Sequence, residues 1–270
     1  MPTAAIGDIE VWYEIEGDGP PVLFISGTGG DLRTKPNVFD GPLPRQHTVA
    51  AYDQRGLGRT TKRDEPATMN QYGRDAAGLL DHLGWSGVPV IGVSFGGMVA
   101  QELAISRPDL VSRLVLCCTS SGGEGGASYP LHTLADIADP DERVRTQLAI
   151  ADTRFDLAWQ EANPERAEKI LARSATPPPD DDPAREIGAR RQLEARVDHD
   201  TWDRLHLIQA PTFVAAGASD GIAPLSNSHN LVARIPGAQL SVFDGGHMFM
   251  IQDRAAWPAI LDFLSQADGN

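Results

Sequence analysis

Cysteine is scarce in this sequence. The 270 residues include two cysteines, Cys117 and Cys118, which are neighbours inside the apolar run 114–118. Two adjacent thiols in a buried segment cannot link distant parts of a chain, so we expect free, buried cysteines and no disulfide framework. Such cysteine usage favours a cytoplasmic protein.

Long apolar runs and positive charge are also lacking. No segment approaches the roughly 18 consecutive apolar residues of a transmembrane helix, so we expect no membrane partner. The chain has 23 Lys and Arg against 37 Asp and Glu, a net charge of −14. An acidic surface repels phosphates, which argues against nucleic-acid partners. The first residues form no basic region followed by an apolar one, so we expect no signal peptide.

Metal-binding and nucleotide-binding patterns are absent from the sequence as well. No His-x-x-x-His or Cys-x-x-Cys spacing occurs, so we predict no metal site. No Gly-x-Gly-x-x-Gly or P-loop pattern follows an apolar run, so we predict no cofactor.

Short apolar runs recur along the chain and alternate with helical patterns. A hairpin is expected over residues 4–16, around the Gly7-Asp8 turn. The later runs are typical of strands buried on both faces of a parallel sheet. They cover residues 21–25, 47–52, 88–93, 114–118 and 211–216, and a last strand-like run covers residues 239–243. Helical spacing covers residues 72–83, 97–105, 222–235 and 254–264. We therefore predict an α/β fold with a doubly wound, mostly parallel sheet that binds ligands at the carboxyl ends of its strands.

One segment, residues 122–205, contains no clear buried strand. Helical patterns cover 143–155, 164–175 and 184–195, and a Pro/Asp run over 177–183 is typical of a solvated loop. We predict a core domain formed by residues 1–121 and 206–270. Residues 122–205 are predicted to be a helical cap inserted over the carboxyl edge of the sheet. The alternative is an independent small domain.

A Gly-x-Ser-x-Gly pattern lies at residues 92–97, Gly-Val-Ser-Phe-Gly-Gly, between an apolar strand and a helix. A serine presented above a sheet requires a sharp, strained turn, where side chains two residues away would clash and glycines do not. The following helix directs its positive dipole end toward a developing anion. We predict that Ser94 is a catalytic nucleophile; the alternative is a structural Gly/Ser turn.

Residues 26–30, Ser-Gly-Thr-Gly-Gly, follow the first buried strand. A tetrahedral intermediate carries a negative oxygen that needs two preorganised backbone N–H donors. We predict that Thr28 and Phe95 supply these donors and that Gly27 allows close approach of the substrate. The alternative is a simple glycine-rich turn.

A histidine follows the last strand pattern, in the segment Gly-Gly-His at residues 245–247. A loop in this position can bring a side chain to the carboxyl edge of the sheet, so we predict that His247 is the general base. The other histidines lack this setting and are interpreted as structural, surface or capping residues. They are His47, His82, His132, His199, His206 and His229.

The predicted acid is Asp220, which lies just past a buried strand. A carboxylate there can accept the histidine Nδ1–H and stabilise the imidazolium. Two other aspartates are alternatives for this role. Asp53 is expected to tie down its own loop with Arg55, and Asp244 lies only three residues from His247, which suits an opposing partner poorly.

The chain order Ser94, Asp220, His247 resembles that of the α/β-hydrolase superfamily, and the resemblance extends over nearly the whole chain. Within it, the chain is most similar to the 3-oxoadipate enol-lactonases and related carboxylic-ester hydrolases. The segments that carry this similarity are 52–58, 92–101, 199–205, 211–220 and 245–247. The family usually has His-Gly where this chain has Ser26-Gly27, so we expect the Thr28 donor to survive but the bracing by that histidine to be lost.

These residues predict hydrolysis of a small-molecule ester or lactone. Ser94 would attack the carbonyl while His247 takes its proton, and water would then hydrolyse the acyl-enzyme. Side chains predicted to line an apolar acyl pocket, or alternatively the core, are Phe95, Met98, Met248 and Phe249. Side chains predicted to bind a substrate carboxylate, or alternatively to be solvated, are Arg190, Arg191 and Gln192.

Three other functions suit the same residues. One is hydrolysis of a carbon–carbon bond in a β-diketone or ring-fission product, and another is cofactor-free perhydrolysis. The third is ligand sensing with slow turnover, since a fold does not fix a function. The sequence leaves homo-oligomerisation open.

Overall fold

The computed structural model describes residues 2–174 and 182–266. The Pro/Asp run at 177–183 lies outside the described residues, apart from positions 182 and 183. Within the described part of the chain, no helix is long and apolar enough to span a membrane.

The predicted mostly parallel sheet is confirmed. Eight strands pair in the order β1-β2-β4-β3-β5-β6-β7-β8. They are β1 (Thr3–Ile6), β2 (Ile9–Glu16), β3 (Pro21–Ile25), β4 (Thr48–Tyr52), β5 (Val88–Val93), β6 (Val111–Cys117), β7 (Thr212–Gly217) and β8 (Gln239–Phe243). The β1–β2 and β2–β4 pairs are antiparallel, and the pairs from β4 to β8 are parallel.

Helices pack on both faces of this sheet, and the described part of residues 122–205 adds four more. They are α1 (Met69–Leu83), α2 (Phe95–Ser106), α3 (Pro140–Ala151), α4 (Leu157–Ala162), α5 (Pro164–Ser174), α6 (Arg185–Val197), α7 (Leu225–Arg234), α8 (Phe249–Gln252) and α9 (Ala256–Ser265). Strand β6 shows the two-sided burial: Leu114 and Leu116 pack in the same cluster as α1 and α2, whereas Val115 and Cys117 pack in the cluster that contains α9. Continuous apolar strands follow from burial on both faces.

The helix ends carry the expected local signals. Helix α1 begins after Thr68, whose side chain accepts a hydrogen bond from the Gln71 N–H, and it ends at Gly84 with a left-handed φ of 66°. Helix α2 begins at Phe95, directly after Ser94 and two residues earlier than predicted.

In its described part, the insertion, residues 122–205, consists of short helices joined by irregular segments, with one bridge between Gly122 and Asp200. Its α3 ends at Ala151, four residues before the predicted end, and the short α4 was not predicted. The reason is local, since Asp152 and Asp156 accept hydrogen bonds from backbone N–H groups two or three residues ahead and so begin new turns.

Because the sheet is buried on both faces, truncating a side chain in its middle should strongly lower the free energy of unfolding. Leu116 in β6 is fully buried, so Leu116→Ala should lower the free energy of unfolding by about 2–5 kcal/mol through lost burial and the cavity left behind. Leu157→Ala is the matched control, because Leu157 is 50% exposed and its loss should cost about 0.5 kcal/mol or less. Urea unfolding of both variants measures the difference, and equal losses would contradict this account of the core.

Candidate active site

The turn between β5 and α2 holds Ser94 in a strained conformation, with φ 55° and ψ −116°. A positive φ is unfavourable for a residue with a Cβ atom. Hydrogen bonds fix the peptide groups on both sides, because the Ser94 N–H donates to the Cys117 carbonyl (2.8 Å) and the Ser94 carbonyl accepts from Thr119 Oγ1 (2.8 Å). The neighbouring strand end therefore holds the turn in place.

The glycines around Ser94 are required by close backbone approach. A Cβ atom on Gly92 would lie 2.4 Å from the Gly96 carbonyl oxygen, and one on Gly96 would lie 2.1 Å from the Ile25 carbonyl oxygen. A Cβ on Gly97 would lie 2.6 Å from the Thr119 side chain. The steric reason that the sequence suggested for the Gly-x-Ser-x-Gly pattern thus holds in the fold.

Three side chains from three loops form one hydrogen-bonded chain. His247 Nε2 lies 2.9 Å from Ser94 Oγ, and His247 Nδ1 lies 2.8 Å from Asp220 Oδ2. The other Asp220 oxygen accepts the N–H groups of Ile222 and Ala223, both at 2.8 Å, which fixes the orientation of the carboxylate. The sequence-predicted Ser94, His247 and Asp220 are therefore brought together at the carboxyl edge of the sheet.

The hydrogen bonds from Ser94 through His247 to Asp220 place the imidazole proton where general-base catalysis requires it. Asp220 can only accept at His247 Nδ1, so the proton of the neutral imidazole lies on Nδ1. The Nε2 lone pair then faces Ser94 Oγ and can take its proton.

Asp53, one of the rival acids, has a different role. Its two oxygens accept the N–H groups of Leu32 (2.7 Å) and Arg59 (2.9 Å), and its burial raises the pKa of the carboxyl. The predicted pairing with Arg55 is wrong, because the Arg55 Nε pairs instead with the buried Asp75 at 2.8 Å. Asp53 thus holds backbone turns at the base of two loops.

Asp244 is also separate from the hydrogen-bonded chain. Its side chain is 85% exposed and pairs with Arg154 at 2.7 Å, while His247 Nδ1 is already occupied by Asp220. It serves as a surface ion-pair partner.

The predicted oxyanion loop lies against the nucleophile, since a Cβ on Gly27 would be 3.4 Å from Ser94 Cβ. Among the described residues, no acceptor is hydrogen-bonded to the N–H of Thr28 or to that of Phe95, the first residue of α2. Both groups are therefore free to donate, as the first N–H groups of a helix generally are.

Two glutamines brace this loop from both sides. Gln54 Nε2 donates to the Ser26 carbonyl (2.7 Å), and Gln192 Oε1 accepts the Gly29 N–H (2.7 Å). Gln192 belongs to α6 of the insertion and is fully buried. The sequence suggested Gln192 as a substrate ligand; the structure shows it as a support of the oxyanion loop.

Most of the side chains predicted to contact substrate lie elsewhere. The Phe95 ring packs edge-on against Tyr72 in the core, and the buried Phe249 ring stacks on Phe243, so neither lines an apolar pocket. Met248 is 54% exposed. Met98 does line a cavity, beside the first turn of α2.

The two predicted substrate arginines differ in exposure, since the Arg190 side chain is 56% exposed and that of Arg191 is 21% exposed. Arg190 and Arg191 both pair with Asp64 at 2.9 Å, and Arg191 also pairs with Glu194. Exposed ion pairs of this kind contribute little to stability. Arg190 is therefore a surface residue of α6, whereas Arg191 is mostly buried and its Nε has no hydrogen-bond partner among the described residues.

The insertion also touches the loops that carry His247 and Asp220. The last carbonyls of α3, at Ile150 and Ala151, accept the N–H groups of Gly221 (3.0 Å) and His247 (2.6 Å). Helix-end carbonyls lack partners within their own helix, so they are available for such bonds. A Cβ on Gly246 would lie 2.2 Å from the Ala151 oxygen, which explains the glycine before His247.

Known proteins resemble this chain over most of its length. A family model for the alpha/beta hydrolase fold matches residues 20–253. The chain belongs to the α/β-hydrolase family. A poly(3-hydroxyalkanoate) depolymerase of Ectopseudomonas oleovorans is 32% identical to this α/β hydrolase over 91% of the chain and 84% of the relative.

Two further relatives show the same breadth of similarity. A putative carbamate hydrolase of Azorhizobium caulinodans is 29% identical over 92% of both chains. The crystal structure of an enol-lactonase from Burkholderia xenovorans LB400 superposes with a TM-score of 0.77 at 25% identity, covering 98% of this chain and all of that one. The protein is thus a hydrolase and resembles the enol-lactonases, as the sequence motifs suggested.

A thiol lies beside the Asp220–His247 pair of this α/β hydrolase. Cys118 Sγ, a carboxylate oxygen of Asp220 and a ring nitrogen of His247 lie within 4.8 Å of one another, although no metal spacing appears in the sequence. Burial raises the pKa of the Cys118 thiol well above its usual range. The neutral thiol adds no negative charge beside Asp220.

A second histidine of this α/β hydrolase is buried, in contrast to its interpretation as a surface or capping residue. His199 is 5% exposed, and its Nε2 lies 3.2 Å from the Ser120 carbonyl, to which it must donate. Its Nδ1 is buried and has no hydrogen-bond partner among the described residues. Burial lowers the pKa of His199 to about 4, so the ring is neutral at neutral pH.

His199 should make the fold sensitive to acid. An unfolded histidine gains a proton below about pH 6.5, whereas His199 in the fold stays neutral down to about pH 4, so its contribution to stability is lost as the pH falls between these values. The loss of unfolding free energy between pH 7.5 and pH 5 should be smaller in His199→Gln than in wild type. His229→Gln, at an exposed position, is the control, and a wild-type loss that His199→Gln fails to reduce would refute this assignment.

Proposed function

We propose that this α/β hydrolase is a serine hydrolase that cleaves a small carboxylic ester or lactone through an acyl-enzyme on Ser94. The observation that carries the proposal is the unbroken hydrogen-bonded chain from Ser94 Oγ through His247 to Asp220 Oδ2. It supplies a nucleophile, a base and an orienting acid in the geometry that acyl transfer uses.

The reaction follows from the positions of the donors and acceptors. Ser94 Oγ attacks the carbonyl carbon while its proton passes to His247 Nε2, and the N–H groups of Thr28 and Phe95 stabilise the oxyanion. Collapse of the intermediate expels the alcohol, which takes the proton from His247. Water, activated by His247, then hydrolyses the acyl-enzyme and restores Ser94.

The relatives support this choice of bond. Their names refer to a depolymerase of a polyester, a putative carbamate hydrolase and an enol-lactonase, and all three substrates place a leaving group on a carbonyl carbon. Carbon–carbon hydrolysis and perhydrolysis would use the same three residues, so substrate panels separate them from esterase activity.

The insertion acts in this proposal as a cap that is part of the site. It contributes Gln192 to the oxyanion loop and the Ala151 carbonyl to the His247 loop. The free buried thiols Cys117 and Cys118 suit a reducing compartment, and a cytoplasmic setting completes the proposal.

The first test removes the nucleophile. Hydrolysis of p-nitrophenyl acetate and butyrate at neutral pH should fall by about 10³-fold or more in Ser94→Ala, because the remaining site can no longer form the acyl-enzyme. Ser226→Ala, on the exposed side of α7, is the matched control and should retain wild-type activity. A fluorophosphonate probe should label the wild type and not Ser94→Ala.

Equal, slow hydrolysis by wild type and Ser94→Ala, without labelling of the wild type, would contradict the serine mechanism. Ligand sensing without turnover would then be the better explanation.

The second test compares two aspartates that compete for the role of the acid. Asp220→Asn should lower kcat by about 10⁴-fold, because an amide no longer selects the histidine tautomer that accepts from serine. Asp244→Asn should change kcat by less than about twofold, since Asp244 pairs only with Arg154 among the described residues. Steady-state kinetics on p-nitrophenyl butyrate gives both values. A larger effect at Asp244 would overturn the assignment.

A further inference from the structure

Arg196, in the last turn of α6, is a buried cation without a counter-ion among the described residues. The residue is 8% exposed, and its Nη2 donates to the Tyr129 carbonyl at 3.2 Å. Its Nη1 is also buried, and it meets no acceptor within the described ranges 2–174 and 182–266. Burial lowers the pKa of Arg196 to about 10, so the guanidinium stays charged at neutral pH.

His199 lies directly beside Arg196. The His199 backbone N–H donates to the Arg196 carbonyl at 3.2 Å, and both residues line one cavity of about 110 Å³. The ring donates from Nε2 to the Ser120 carbonyl, and because burial lowers the pKa of His199 to about 4, the ring is neutral and Nδ1 keeps a lone pair. In the described part of the chain this buried Nδ1 has no hydrogen-bond partner. Two residues that line the cavity thus have unmatched polar atoms, one a cationic donor and the other a neutral acceptor.

The cavity is separate from the proposed catalytic residues, because none of them is among the residues that line it. Its lining comes from the core at Met98 and Ser120 and from the insertion at Tyr129. Val197 also lines it and is 58% exposed, so a small ion can enter from solvent. The cavity therefore lies at the junction of the insertion and the core.

Charge limits the ligands that suit this cavity. Buried charges in proteins are normally paired, as the buried Glu102 is with Arg204 at 2.7–2.9 Å. A water molecule can accept from Arg196 Nη1 and donate to His199 Nδ1, but it leaves the buried charge unpaired, which is strongly unfavourable. The ligand that balances Arg196 is therefore an anion.

The lone pair of His199 limits the choice further. An anion without a proton pairs with Arg196, but it cannot donate to the neutral Nδ1 of His199. An oxyanion that keeps one proton satisfies both groups, since a negative oxygen accepts from the guanidinium and its O–H donates to the imidazole.

The size of the cavity limits the ion as well. A cavity of about 150 Å³ can hold a benzene ring, so one of about 110 Å³ has room for roughly four or five non-hydrogen atoms. Hydrogencarbonate and phosphate have this size, whereas a sugar acid such as gluconate is too large. The cavity therefore suits small oxyanions.

We propose that the cavity lined by Met98, Arg196 and His199 is a binding site for a small oxyanion that carries one proton, supplied by hydrogencarbonate or by inorganic phosphate. The bound ion is the counter-ion of Arg196 and the donor to His199 Nδ1. It stabilises the junction of the insertion and the core and takes no part in the reaction at Ser94.

The test measures binding at pH 7.5 from the midpoint of thermal unfolding, as hydrogencarbonate, phosphate or nitrate is added against gluconate at equal ionic strength. Nitrate has nearly the size and planar shape of hydrogencarbonate but no proton to donate. Hydrogencarbonate or phosphate should bind wild type about fivefold or more tightly than nitrate does, the gain expected from one hydrogen bond. The tighter of the two identifies the source of the ion.

Variants locate the ion. Arg196→Gln should weaken binding by about 10–100-fold, because the charge-assisted hydrogen bond is lost. Arg190→Gln, which removes an exposed arginine of the same helix, should bind as wild type does. His199→Leu should bind the three anions equally, since leucine offers no acceptor to the O–H. Ser94→Ala should keep the wild-type affinity.

Several results would overturn the site: no stabilisation of wild type by hydrogencarbonate or phosphate, nitrate binding as tight as theirs, unchanged binding in a folded Arg196→Gln, or loss of binding in Ser94→Ala. The titrations of wild type and Ser94→Ala decide even if the other variants do not fold. No measurement in this test depends on ester hydrolysis, so its outcome is separate from that of the proposed esterase function.

Discussion

The left-handed backbone at Ser94 is the constraint on which the rest of the site depends. Holding a serine at φ 55° costs on the order of 1–3 kcal/mol, and the surroundings must impose it. They do so through the adjacent strand end, where Cys117 accepts the Ser94 N–H, and Cys118 has a positive φ of its own. The Cys118 N–H in turn donates to Ala215 in β7, the strand that leads to Asp220. Backbone hydrogen bonds thus link the nucleophile loop to the acid loop across three strands.

The insertion holds two loops of the site that the sheet positions only in part. Strand ends position the three side chains laterally, but the His247 loop is held from above by the Ala151 carbonyl and the oxyanion loop by Gln192. Both contacts use polar groups that the insertion could not satisfy internally, a helix-end carbonyl and a buried amide. The insertion and the site are consequently one hydrogen-bonded unit, and loosening the insertion would disturb the catalytic geometry without touching a catalytic side chain.

Features set by local backbone chemistry could be predicted from the sequence, whereas side-chain partners could not. The glycines around Ser94 and the apolar runs of β3 to β7 can be recognised from neighbouring residues in the sequence alone. The partner of Asp53 and the inward arginine of α6 depend on how distant elements meet. Arg190 and Arg196 are six residues apart, which is about 240° around a helix, so they face different sides. Because the inward face of α6 carries Gly188 and Gln192 rather than apolar residues, no hydrophobic stripe indicated which arginine was buried.

Two unfavourable features therefore meet at the carboxyl edge of this sheet. One is the strained turn at Ser94, and the other is the unpaired charge of Arg196. Neither stabilises the fold, since a relaxed turn and an apolar side chain in those places would each lower the free energy of the folded state. Local rules are broken in native proteins mainly where function requires it. Arg196 lies one helical turn after Gln192, whose side chain accepts the Gly29 N–H of the loop beside Ser94, so one face of α6 connects the two features.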